Sequence, residues 1–227
     1  MRRLILFDID GTLVWGGPAK GAFRDAMAET YGTAGDIDGL SFAGKTDRQI
    51  ARQLLAGAGL EDGAIDAGFT DLWARYLAHL RRRLEEDPVE VLPGVPELLD
   101  ALAELDDVGV GLLTGNIAGG AELKLGSAGL WGHFDFGSYG SDHEERDALP
   151  AIAIGRAREL WGDSLKAADA VVVGDTPRDV ACGKVGGMRT LAVATGSFSI
   201  AELRATDADH VLENLSTTTD VVSLLTG

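Results

Sequence analysis

The chain has 227 residues, 45% hydrophobic and 25% charged, which is ordinary for a folded globular protein and long enough to bury a real core. Twenty basic against 36 acidic residues leave a formal charge of −16, arguing against nucleic acid or anionic membrane as a partner, since both need basic patches. The single cysteine, Cys182, excludes an intramolecular disulfide, and no stretch approaches the roughly 20 apolar residues of a membrane span, so a cytoplasmic protein is expected.

The start, MRRLILFD, carries a basic pair and an apolar run that Asp8 interrupts far short of a signal sequence. LILFDIDGTL then reads as a short buried strand with acids at its exit. Strand side chains alternate, so Asp8 and Asp10 project to one side while Phe7 and Ile9 turn into the core. Adjacent carboxylates resist ionising together unless a cation or a shared proton relieves them, and a hard divalent ion such as Mg²⁺ is the simplest relief. The competing reading is an exposed strand end kept soluble by its acids. Gly11 permits a tight turn there, and Thr12 adds a hydroxyl where the chain leaves the sheet.

Val14 to Glu90 reads as helical throughout, with no strand. Helices are expected from Pro18 through Tyr31, over Thr46 to Ala56, and over Phe69 to Glu86 with a stripe of Phe69, Leu72, Trp73, Tyr76, Leu77, Leu80 and Leu84. Arg81, Arg82 and Arg83 run around that last helix and read as a solvated surface. Gly39 to Thr46, GLSFAGKT, matches the nucleotide-binding loop pattern literally, yet that loop needs a hydrophobic strand before it and YGTAGDID is polar. GKTD reads better as a loop before a helix, with Thr46 as N-cap and Lys45 free to reach across a cleft.

From Pro93 onward helices and strands alternate. Helices are expected at Pro96–Leu105, Ile117–Ala128, Leu149–Trp161, Pro177–Val185 and Ile200–Ala205. Strands are expected at Val108–Leu113, Phe134–Tyr139, Ala170–Val173, Thr190–Ala194 and His210–Leu212. The pattern implies an α/β fold, a parallel sheet covered on both faces, in which ligands bind beyond the carboxyl ends of the strands.

Three strand exits carry suitable groups. Asp8 and Asp10 form the first. Thr114, Gly115 and Asn116 form the second: a hydroxyl, a residue allowing close approach, and a helix N-terminus, a trio that suits either phosphate oxygens or a plain capping turn. In the third, VVVGDTPRD, Asp175 follows the strand, and Asp179 sits in the first turn of the next helix, where the helix dipole also favours an acid.

Taken together, DIDGTL, TGN and GDTPRD resemble the haloacid dehalogenase superfamily, and within it the small phosphatases similar to phosphoglycolate phosphatase; the resemblance runs nearly end to end. It implies a doubly wound, Rossmann-like core formed by residues 1–13 and 91–227, with an all-helical cap over residues 14–90. It also implies a Mg²⁺-dependent phosphatase acting on a small phosphorylated metabolite. Asp8 would be the nucleophile, Asp10 the acid and base, and Asp8, Asp10 (through its carbonyl), Asp175 and Asp179 the metal shell. Thr114, Gly115, Asn116, Thr12 and Lys45 would be on the phosphate or substrate. One motif departs: the family's lysine before the fourth motif is missing from SDHEERDALPAIAI, which leaves Arg146 as the substitute and Lys124 as its rival. A sugar-phosphate mutase and a nonenzymatic phospho-acceptor are the alternatives. Substrate identity and oligomeric state are not encoded in these motifs.

Overall fold

A computed structural model describes residues 3–162 and 164–227; Arg2 of the basic pair lies outside them. Six parallel strands form the main sheet: β1 (Arg3–Phe7), β4 (Val108–Thr114), β5 (Phe136–Tyr139), β6 (Ala170–Gly174), β7 (Arg189–Val193) and β8 (His210–Leu212), in the order β5-β4-β1-β6-β7-β8. β1 is central, its Phe7 paired with Leu112 of β4 on one side and Val173 of β6 on the other. Chain order runs outward from β1 in one direction through β4 and β5, then returns to its other flank for β6, β7 and β8. The reversal at β1 opens a crevice beyond the strands' carboxyl ends.

Strand alternation divides the core in two. Ile5 and Phe7 pack with helices α4 (Val95–Ala103), α5 (Ala118–Ser127) and α9 (Thr218–Thr226), while Leu4 and Leu6 pack with α6 (Leu149–Trp161) and Cys182 of α7 (Pro177–Val185). Helices therefore cover both faces, as a sheet of apolar central strands requires. A short helix α8 (Ile200–Arg204), started by a Ser199–Glu202 capping box, packs beside β7 and β8.

Between β1 and β4 the chain makes three further helices, α1 (Ala19–Tyr31), α2 (Asp47–Gly57) and α3 (Asp62–Leu84). Thr46 caps α2 through a reciprocal capping box with Gln49. Two expectations are corrected here. Residues 14–90 are not free of strand: β2 (Val14–Trp15) pairs antiparallel with β3 (Glu90–Val91), a ribbon of two residues per strand, too short for any alternation to register in sequence. And α3 starts at Asp62, with Ile65 buried, well before Phe69. Arg81 and Arg82 are exposed, and the half-buried Arg83 is ion-paired to Asp25 of α1. The final helix α9 had no sequence counterpart.

Leu6, with no exposed surface, sits mid-strand between α6 and β6 neighbours. Leu6→Ala is expected to cost about 2–5 kcal/mol of stability. Urea unfolding checks this, and a loss under 1 kcal/mol would contradict the packing described.

Candidate active site

β1, β4 and β6 end level with one another and deliver their exits to a single cavity of about 470 Å³, lined by Asp8, Asp10, Gly115, Asn116, Lys124, Arg146 and Asp175 on the sheet side. Lys45 reaches the same cavity from the loop before α2. Thr114 and Asp179 lie buried behind it, and Thr12 is fully buried with its hydroxyl unpartnered. The turn after Asp10, in which Leu13 N–H returns to the Ile9 carbonyl, carries Thr12 inward instead of to the cavity wall.

The acids separate into two settings. Carboxylate oxygens of Asp8, Asp175 and Asp179, all buried, lie within 4.8 Å of one another. Burial pushes the Asp8 carboxyl up to about 6; Arg146 opposes the shift, and Asp179 and Asp10 add like-charge repulsion. Burial, then Asp179 and Asp8, pushes Asp175 up to about 9, and its Oδ1 is buried without a hydrogen-bond partner among the described residues. One cation meets two of the three: the buried guanidinium of Arg146 contacts Asp179 and stands 3.3 Å from Asp8. Asp179 is also held by the Thr176 amide at 2.9 Å and hydroxyl at 2.7 Å, so its cap role and its place in the cluster coexist.

Asp10 is elsewhere. Its carboxylate, 48% exposed to the cleft, takes Lys124 Nζ at 2.8 Å on both oxygens and Asn116 Nδ2 at 2.8 Å. The surrounding protein alone would raise its pKa, but the Lys124 charge and these hydrogen bonds outweigh that and hold it below the usual range. The two cations left open by the sequence are thus divided, Arg146 facing Asp8 and Asp179, Lys124 facing Asp10 and Asn116. In this resting site Asp10 is the acid whose pKa is held down and Asp8 the one whose pKa is pushed up.

Glycines make room for the cluster. Gly11, at φ +84°, turns the chain so closely under Asp175 that a Cβ would collide with its carboxylate, and Gly196 approaches the same group from beyond β7. Asp175 is thereby walled by backbone. Three buried carboxylates, one guanidinium and an orphaned oxygen suit a hard cation with oxygen ligands. Cys182 does not take part: burial pushes its thiol up to about 12, as befits a packed small residue.

The sequence reading missed Asp47 and Tyr76, both lining the cavity. Asp47 reads as a first-turn acid and Tyr76 as one member of a core stripe, so neither carries a separate signal. Asp47 Oδ2 accepts from the Ile117 amide at 2.8 Å and its own amide donates to the Gly115 carbonyl at 2.8 Å, tying α2 to the loop after β4. Thr46 donates to the Glu144 carbonyl at 2.6 Å, and Arg52 grips the Glu144 carboxylate at 2.7 and 3.0 Å, two residues before Arg146.

A family profile for haloacid dehalogenase-like hydrolases matches residues 2–187. The chain belongs to the haloacid dehalogenase-like hydrolases. It is 30% identical to the phosphoglycolate phosphatase of Synechococcus elongatus, covering 98% of both chains. It is also 30% identical to that of Rhodospirillum rubrum, over 86% of this chain and 81% of the relative. With such relatives it is a haloacid dehalogenase-like phosphatase. A hydrolase structure from Pseudomonas syringae, 18% identical, superposes with a TM-score of 0.70 over 100% of each chain, a likeness of fold. Among the described residues no helix is long and apolar enough to cross a membrane.

Two outcomes follow from these contacts. Because burial, the leading cause, lifts Asp47 to about 6 in the folded state against 3.8 as its ordinary value, the native protein binds the extra proton between those values. Stability therefore falls as pH rises through that window. Asp47→Asn, which keeps an acceptor for Ile117, should lose that slope and gain on the order of 1–3 kcal/mol relative to wild type by pH 7; parallel Tm profiles would refute it. In a double-mutant cycle, Arg52→Met and Glu144→Gln should couple by about 1 kcal/mol in unfolding free energy, whereas additive losses would make their contact incidental.

Proposed function

We propose that this phosphatase hydrolyses a small phosphorylated metabolite through a phosphoryl group carried on Asp8, with Mg²⁺ held by Asp8, Asp175 and Asp179. The observation that carries the reading is the buried carboxylate cluster with its unpartnered Asp175 Oδ1, placed against the same cavity as Asp10 and Lys124. Bound there, Mg²⁺ would neutralise the acids and the phosphoryl oxygens together. Residues 14–90 act as a cap over a core of residues 1–13 and 91–227, excluding water from the cavity.

In this mechanism an Asp8 oxygen attacks phosphorus in line, forming one O–P bond as the bond to the leaving alcohol breaks. Asp10 gives that alcohol its proton. At rest Asp10 is ionised beside Lys124, and a dianionic ester arriving next to it raises its pKa by like-charge repulsion, which lets it take up the proton it delivers. Deprotonated again, it accepts a proton from the water that attacks phosphorus, freeing Asp8 and releasing inorganic phosphate. Lys124 and Asn116 aim Asp10 through both transfers. Arg146 holds Asp8 and offsets transferring charge, and the Gly115 exit of β4 lies against the phosphoryl oxygens.

Phosphate release from a panel of monoesters should require Mg²⁺ and fall more than about a thousandfold in Asp8→Asn. Turnover by that variant above a few per cent of wild type would remove the covalent route, and release unaffected by chelators would remove the metal.

A further inference from the structure

The cavity wall contributed by residues 14–90 differs in kind from the sheet side. It is built from Trp15, Phe23, Leu40, Phe42, Ile50 and Tyr76. Phe23 stands edge-on to Phe42 (6.1 Å, 72°) and to Tyr76 (5.2 Å, 86°), a fixed aromatic corner. Trp15 on β2 lines the same cavity and is 46% exposed. The polar groups are few. Tyr76 is 2% exposed and lines the cavity. Asp47 spends Oδ2 on Ile117 and leaves Oδ1 without a protein partner. Lys20 is occupied by Asp38 at 3.3 Å and lies 5.7 Å from the Phe42 ring centre, which leaves Lys45 as the cation of this wall with no ion pair among the described residues.

A two-carbon phosphate acid carries no ring or apolar surface to cover the aromatic corner and would leave it wet. A cavity of about 470 Å³ is instead of the size that houses ligands with a ring system. We propose that this wall is a leaving-group subsite for an uncharged flat ring, so that the substrate is a phosphomonoester whose alcohol bears an aryl or nucleoside group. The ring packs on Phe42 and Trp15, while Tyr76 Oη donates to, and Asp47 Oδ1 accepts from, its polar edge. The proposal rests on the phosphatase reading of the same cavity, and it parts from the substrate in the names of the relatives.

The test measures kcat/KM for uridine 5′-monophosphate, 4-nitrophenyl phosphate, glycerol 3-phosphate and phosphoglycolate with Mg²⁺, in wild type, Phe42→Ala and Tyr76→Phe. Calorimetry of the same esters on Asp8→Asn runs alongside. At least one ring-bearing ester should exceed both acyclic ones about tenfold or more, and Phe42→Ala should shrink that ratio about tenfold. Tyr76→Phe, which keeps the ring, should lower it only for the ester whose polar edge it meets. Preference between the nucleotide and the aryl ester separates the two ring classes. Preferred turnover of phosphoglycolate or glycerol 3-phosphate overturns the subsite while leaving the phosphatase standing. No release from any ester, with tighter calorimetric binding of a ring-bearing one, overturns the phosphatase and keeps the subsite. Equal binding of all four overturns both.

Discussion

Three buried acids crowd together where one guanidinium reaches only two of them, and much of the surrounding architecture can be read as a means of tolerating that imbalance. Carboxylates of Asp8, Asp175 and Asp179 at this separation repel one another in a medium that screens poorly, and removing even one charge from water is costly. The fold answers with Arg146, with a helix start whose Thr176 amide and hydroxyl hold Asp179, and with backbone from Gly11 and Gly196 pressed against Asp175. What is left over, the high Asp175 pKa and its solitary oxygen, is a standing demand for positive charge.

The parallel sheet is what lets residues so far apart in sequence meet. Only where two neighbouring strands leave a central one in opposite chain directions do three exits adjoin without an intervening helix, and β1 between β4 and β6 is that place. The loop bearing Arg146 is then pinned from two sides. Arg156 of α6 holds Asp142 at 2.6 and 2.8 Å, and Arg52 of α2 holds Glu144. The guanidinium in the cluster is thus positioned jointly by the sheet domain's own helix and by the inserted helices.

Most of the fold was legible because its signals are local. Apolar runs such as VVVG ending in Gly174, and helix starts such as Thr176-Pro177, declare themselves within a few residues. Asp8, Asp10 and Asp175 stood out for the same reason, as acids where an apolar run stops. What escaped was non-local or lacked amplitude. The β2–β3 ribbon pairs residues at opposite ends of a long insertion, and no periodicity fits into two residues. Whether Arg146 or Lys124 faced Asp8 depended on which helix face meets the cleft, a tertiary matter. That Lys124, on a helix distant in sequence, reaches Asp10 was likewise not visible from the neighbouring Asp8 alone.

The ribbon has a consequence for how this chain could diversify. Val14 and Val91 are paired neighbours, so the inserted helices leave and re-enter the sheet domain at points only about 5 Å apart. A segment whose ends already meet can be exchanged for another of different length with little added closure entropy. Asp8 and Asp175, at the exits of strands outside the insertion, would keep their positions, while the cavity wall contributed by residues 14–90 would be replaced whole. The two sides of the cavity thus belong to separable stretches of the same polypeptide, joined by two pairs of residues.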